Sequence, residues 1–421
     1  MKKFSFLFLF LFSVNIVLAK EVSLDINEAI ALALRDNPVI LLKAEDIEKA
    51  KAKIKESLSE ALPKVSLTST LSKTNNYYPN KDITSDSLSL SFKQIIYTGG
   101  RIVNTIKYTE YGLDIAKIIL DEAKLDIVAN TKKAFYSLLL AREFVNLNYK
   151  ILKNIEAHYN SFKIKYNYGE ISKTDLLKLK QSLVLARSQY EESLNQLNSF
   201  EELLKNLLFL DSDIKIIPEG KLYYKPREIS YKEAFLEALK LRPEIKRIDA
   251  ELKAQEKSIE IVKSQNRPTI YASWDYFNRS HTTSLGGLSK NRNDYNVISL
   301  VFSWPIFDGW QTKARLDEAL ADLRKSKITK EKTKKDIEYE LKDSYFKLKT
   351  SIYKMRASLL DTNVYFENLK TINEKYLNGE VSYLDKFDNK LKYLISRFNY
   401  ISSIYEYLIA EVNFDRAIGG Y

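Results

Sequence analysis

The side chains that most often carry chemistry are few and scattered in this chain. His158 and His281 are the only histidines and cysteine is absent, so no imidazole or thiolate set can gather a metal or activate a nucleophile. Lack of cysteine also rules out disulfides and an N-terminal lipid attached at cysteine. The simplest places for the two histidines are a helix surface for His158 and a loop for His281. Gly286-Gly287 lies in a polar stretch without the rest of a phosphate-binding pattern. An enzyme is therefore not expected, nor a cofactor or bound metal. One acidic pair stands apart from the general run of carboxylates. Asp385 and Asp388 follow Gly379-Glu380 and are three residues apart, which places them on one face of a helix.

The elements that must position such residues are set out twice. Glu28-Ala29, Ala33-Leu34, Pro38 and Pro63 recur 205 positions later as Glu233-Ala234, Ala238-Leu239, Pro243 and Pro268. Ser89-Leu90, Phe92 and Gly99 recur 210 positions later as Ser299-Leu300, Phe302 and Gly309. The same displacement carries Lys165-Tyr166, Gly169-Glu170 and Ser172 onto Lys375-Tyr376, Gly379-Glu380 and Ser382. Three blocks in one order define an internal duplication. The repeats are expected over 20–217 and 229–421, joined by a Pro- and Gly-containing linker at 218–228.

Each repeat opens with a short helix, capped by Asn27 or Ser230, and continues with a second helix, from about Pro38 to Leu62 or from Pro243 to Asn266. The period then changes to two. Leu88, Leu90 and Phe92 alternate with serines, and Ile298, Leu300, Phe302 and Trp304 share one face with Ser299 and Ser303 on the other. Strands are expected at about 64–73, 87–95, 269–277 and 295–304, with exposed polar loops from Thr74 to Ser87 and from Asn278 to Asn293. Alternation of this kind also suits a water-soluble sheet. Two strands per repeat, flanked by very long helices, cannot bury their edges within one chain, however, and in hydrocarbon every edge must close. The apolar residues would then face lipid and the serines water. Tyr77, Tyr78, Trp274, Tyr276, Phe277, Tyr295 and Trp304 are candidates for an interfacial aromatic belt.

After the strands, neither glycine nor proline interrupts the 56 residues between Gly112 and Gly169 or the 69 between Gly309 and Gly379. Helices of about 85 and 100 Å follow from the usual rise. Return helices complete hairpins at about 101–208 and 310–417. Leu176, Leu179, Leu183, Ala186 and Tyr190 form one seam; Leu384, Phe387, Leu391, Leu394 and Phe398 form the matching one.

At the N-terminus, Lys2 and Lys3 precede an apolar run that ends at Val17-Leu18-Ala19. This is the arrangement of an exported leader cleaved near Ala19, the alternative being an uncleaved anchor. The net charge of +11 would permit nucleic-acid binding, but export and interspersed acids argue against it. No later run approaches a transmembrane helix, whereas a membrane barrel remains compatible.

Taken together, the Glu-Ala and Asn-Pro pattern of Leu24 to Pro38, Gln94 to Arg101 after a strand, Ser303-Trp304-Pro305-Ile306-Phe307-Asp308-Gly309, and the duplicated Tyr…Gly-Glu turns closely resemble the TolC-like outer-membrane efflux family across the mature chain. The resemblance implies a mainly α fold with membrane β: a homotrimer whose four strands per chain close a 12-stranded barrel, continuous with a long periplasmic α-helical barrel. It implies a passive exit duct in the outer membrane, in contact with outer-membrane lipid, joined to a periplasmic adaptor and an inner-membrane RND or ABC exporter. Gly169 and Gly379 would mark the hairpin tips at the periplasmic entrance. Asp385 and Asp388, with Asp175 in the first repeat, would narrow that entrance electrostatically. The same acids also suit solvation or lateral ion pairs with Lys386, Lys390 or Lys178, and Lys178 stands where a second acid would complete the first-repeat site. A non-conducting coiled-coil scaffold is the alternative that long helices alone would support.

Overall fold

The computed structural model describes residues 21–77, 81–225, 227, 230–284 and 288–420. The expected leader, Tyr78, Pro226 and Gly286-Gly287 lie outside the described residues.

Each repeat begins with two short helices. In the first, α1 (Ile26–Asp36) starts at Asp25, not at Asn27. The Asp25 carboxylate accepts from the amides of Asn27 and Glu28, while Glu28 accepts from the amide of Asp25. Asn27 is already inside the first turn, where its side chain cannot reach the free amides that follow a cap. Asn37 then caps α2 (Pro38–Ser59): its Oδ1 accepts from Val39 N at 2.9 Å and its Nδ2 donates to Leu207 O at 2.8 Å. α2 ends at Ser59, three residues before the expected end, with Pro63 preventing further continuation. In the second repeat, Ser230 caps α5 (Tyr231–Leu241) as expected, and α6 (Pro243–Lys263) follows. A feature without an obvious sequence period is the parallel pair β1 (Glu21–Leu24) and β4 (Lys215–Pro218), which ties the start of the first repeat to its end.

The larger sheet has the order β2-β3-β5-β6, antiparallel throughout, from β2 (Lys64–Tyr77), β3 (Lys81–Thr98), β5 (Thr269–Ser284) and β6 (Leu288–Ser303). The strands run well into the segments expected as polar loops. Backbone pairing does not depend on side-chain polarity, so the loss of apolar alternation marks the end of the greasy face and not the end of the ladder.

Between sheet and tips, α3 (Arg101–Asn167) and α7 (Gln311–Leu377) each run 67 residues, about 100 Å. The shorter helices flank them in succession. Along α3, α2 and α4 (Lys173–Leu208) lie on one side, and α6 and α8 (Tyr383–Ile418) on the other; α6 and α8 also pack on α7. A cross-section therefore meets four rods near the sheet, α2-α3-α6-α7, and four near the tips, α4-α3-α8-α7.

Two apolar cores occupy the region where the short helices meet the long ones. One gathers Ala29 and Ala33 of α1 with Phe135, Leu138, Leu204 and Leu208. The other gathers Ala234 and Ala238 of α5 with Leu341, Leu348, Tyr407 and Phe414. The alanines repeated in the sequence are thus the small faces on which α1 and α5 sit against long helices. Charge ties the joint of α6 and α8: Arg416 reaches Asp126 at 2.9 Å, Glu340 at 3.2 Å and Glu244 at 3.3 Å, and Arg242 reaches Glu340 at 2.7 Å.

Candidate functional site

Register fixes the two faces of the four-stranded sheet. Val65, Phe92, Trp274 and Ile298 stand in one row, and Leu67, Leu90, Tyr276 and Asn296 in the next. Directly paired residues share a face, so Leu88, Leu90, Phe92, Ile298, Leu300 and Phe302 lie on one side, and Trp304, just beyond β6, continues their alternation. The side chains project from the chain with little cover: Ile298 is 84% exposed and Leu300 72%. The apolar run is highest on β2, from Val65 to Leu71, and lowest on β6, from Ile298 to Trp304. A level band crossing strands in this slanting way is the pattern of strands tilted through an apolar slab. Above it the same face turns polar at Asn278 and Asp294, and Ser280 donates to Asp86.

The opposite face carries Ser66, Thr68, Ser87, Ser89, Ser91, Ser273 and Ser299, with Ser91 and Ser273 donating to Asp275. Phe277 and Tyr295 also fall here, their rings stacked at 5.2 Å. They are therefore separated from Trp274, Tyr276 and Trp304, and the expected aromatic belt divides between faces because 277 and 295 have the other parity. Lys64, Lys93 and Arg279 share this serine face. Sequence alternation contained that information, but it was visible only once the pairing was known. Of Tyr77 only the backbone is described.

The outer edges of β2 and β6 have no strand partner among the described residues, and these two strands run antiparallel to each other. The four-rod layer ends on matching sides, with α2 and α4 beneath β2 and α7 beneath β6. Along α7, Tyr339, Phe346, Tyr353 and Leu360 are all exposed and recur every seven residues. A seven-residue apolar repeat on an open helix face is a coiled-coil seam awaiting another helix.

At the far end the two hairpins turn by the same chemistry. Gly169 and Gly379 take φ of +76° and +77°. In the first, Glu170 N donates to Lys165 O and Gly169 N to Tyr166 O; in the second, Glu380 N donates to Lys375 O and Gly379 N to Tyr376 O. Each is a Schellman closure, in which a left-handed residue satisfies the last carbonyls of the helix. Ser172 and Ser382 then cap the return helices.

These caps engage two of the tip acids. Ser172 Oγ donates to Asp175 at 2.7 Å, and Ser382 Oγ donates to Asp385 at 2.7 Å. Asp385 also accepts from Ser382 N at 3.1 Å, and these bonds hold its carboxyl below the usual range. Asp388, one turn further along α8, is exposed and is not part of the cap. Among the described residues no lateral ion pair is formed by Lys178, Lys386 or Lys390; Lys386 lies 4.4 Å from the Tyr376 ring centroid.

His158 is not on the surface. It is 2% exposed in the seam between α3 and α8, its ring edge-on to Phe387 at 4.2 Å. Burial lowers its pKa, and the Asp388 charge opposes that shift. The expectation missed this because a lone histidine on a polar helix reads as exposed until the second hairpin is laid against it. The same seam brings Phe398 to Phe144 at 5.0 Å, while Tyr190 of α4 meets Tyr149 at 5.8 Å. Among the described residues there is no cluster of His, Asp and Glu that could hold a metal and no helix long and apolar enough to cross a membrane.

A sheet with an outward apolar band and open edges, continuous with a four-rod helical wall, defines a conduit subunit. Residues 29–208 and 235–420 match the outer membrane efflux protein family, one match to each repeat. The chain belongs to that family and is an efflux channel protein of the outer membrane. Among solved structures it is similar to the Campylobacter jejuni CmeC outer membrane channel, with 20% identity, a TM-score of 0.77, and coverage of 94% of this chain and 85% of that one. It is likewise similar to the Neisseria gonorrhoeae MtrE outer membrane channel in its open state, with 18% identity, a TM-score of 0.75, and coverage of 94% and 89%. The Vibrio cholerae outer membrane protein VceC gives 15% identity, a TM-score of 0.74, and coverage of 94% and 96%. Comparison with curated protein sequences gives no match.

Proposed function

We propose that three copies of this chain close into a barrel and tunnel that serve as the passive exit duct of a tripartite efflux or type I secretion assembly. The observation that carries this reading is the pair of open, mutually antiparallel edges β2 and β6 on a sheet with an exposed apolar band. Copies joined β6 to β2 remain antiparallel around the whole ring, and three give 12 strands, within the range of bacterial barrels. The exposed seven-residue seam on α7 supports a helix-to-helix joint between the same copies. Outer-membrane lipid meets Leu88, Leu90, Phe92, Ile298, Leu300, Phe302 and Trp304. A periplasmic adaptor meets the Gly169 and Gly379 tips, with an inner-membrane RND or ABC exporter beyond it. The protein carries no catalytic step, and its leader is removed near Ala19.

At the entrance, Asp388 is the principal filter, while Asp175 and Asp385 hold the turns. Purified protein reconstituted in planar bilayers tests both levels. Channels of uniform conductance formed by cross-linkable trimers support the duct; nonconducting rods support a scaffold instead. Asp388→Ala should alter conductance or cation preference, and no change in either would remove Asp388 from the filter.

A further inference from the structure

We infer that the strand-lined part of the duct attracts anions, through Lys64, Lys93 and Arg279 on the serine face of the sheet. This rests on reading that face as the water-filled lumen. Lys64 and Lys93 are direct cross-strand partners, an arrangement that is unfavourable in itself because like charges stand opposite one another. Neither has an ion-pair partner among the described residues. Lys93 Nζ instead lies 3.8 Å from the Tyr271 ring centroid, where attraction to the electron-rich ring face offsets part of the repulsion from Lys64. Further from the helices, the Arg279 guanidinium lies 4.8 Å from the Phe277 ring centroid and 6.0 Å from that of Tyr295. The rings hold the cation in place without neutralising it.

The one acid on this face among the described residues is Asp275, and its carboxylate is occupied by Ser91 and Ser273. Among the described residues each copy thus presents three cations to one acid, and closure multiplies that imbalance around a narrow water column bounded by low-dielectric walls. Such walls focus the field, and rings of Lys and Arg favour anions. The tip acids are about 100 Å away along α3 and α7, many screening lengths distant at physiological salt. The two ends therefore act independently: acids at the entrance, cations at the exit. The chemistry selected at the exit is that of small anions and of anionic groups on cargo.

The natural absence of cysteine makes the lumen directly readable. Ser66→Cys stands beside Lys64 and opposite Ser91, and Ser87→Cys stands opposite Arg279. In full-length trimers, a methanethiosulfonate reagent bearing a sulfonate should modify both sites faster than one bearing a quaternary ammonium. Relative to their rates with free cysteine, the preference should be roughly sevenfold, as expected for a potential near one thermal unit acting on two opposite charges. Neutralising Lys64, Lys93 and Arg279 to Gln in the same background should return the ratio to that of free cysteine. Equal normalised rates at both cysteines with the three cations intact would overturn the inference while leaving the duct standing. If neither cysteine reacts while Leu67→Cys does, the assignment of faces fails, and the inference fails with it.

Discussion

Placing an arginine at Leu300 or at its neighbour Ser299 separates the two sides of the sheet by one residue. Leu300 pairs with Ala272 between the rows of Ile298 and Phe302, within the apolar band on β6, and is 72% exposed to whatever surrounds the chain. A lipid-facing arginine near the bilayer midplane costs about 2–4 kcal/mol. Every assembly of three copies carries the substitution three times, so Leu300→Arg should cost roughly 6–12 kcal/mol per barrel, comparable with the entire stability of an ordinary domain. Ser299→Arg points the other way, into water, and should cost little. Outer-membrane fractions would be assayed for trimer by cross-linking and for channel formation in bilayers. Leu300→Arg should leave almost no assembled trimer, and Ser299→Arg should assemble near the natural level with altered conductance. Equal assembly of the two variants would refute the lipid-facing assignment of the whole row.

The tip turn can be tested at Gly379, whose φ of +77° penalises any side chain: Gly379→Ala should destabilise the turn by about 1–2 kcal/mol, seen as faster amide exchange from Asn378 to Lys386 with the rest of α8 unchanged. Burial lowers the pKa of His158, so as pH falls below about 6.5 the unfolded chain takes up the proton first. The stability that His158 contributes is therefore present above that pH and is lost as pH falls towards the lowered folded value; His158→Gln should flatten this acid limb in thermal unfolding curves. Leu341 is fully buried between α7 and its neighbours, and Leu341→Ala should cost about 2–5 kcal/mol, measured as a fall in the denaturant midpoint of the helical signal.

Much of the architecture can be read from the chain because it rests on local rules repeated twice. The long intervals without glycine or proline become α3 and α7, and Gly169 and Gly379 end them because a left-handed residue is needed there. The alternation at Leu88–Phe92 and Ile298–Phe302 gives a single apolar face. Other features were hidden for physical reasons. The strands outlast their apolar pattern because the backbone pairs regardless of side chain, and β1 and β4 are too short to show a period. Ser382 draws Asp385 into a cap that no helical period displays, whereas Asp388 at the next turn is left outside it.

The sequence by itself determined the duplication, the length of the rods, the places where they turn and the period of the strands, since each depends on residues close together in the chain. Tertiary structure decided which side chains share a face across strands, that His158 is buried against Phe387, that α2 with α4 and α6 with α8 complete the four-rod wall, and that β2, β6 and α7 remain open. Those outcomes depend on contacts between residues tens to hundreds of positions apart, and register or packing between such segments is set by the assembled surfaces and not by any local pattern.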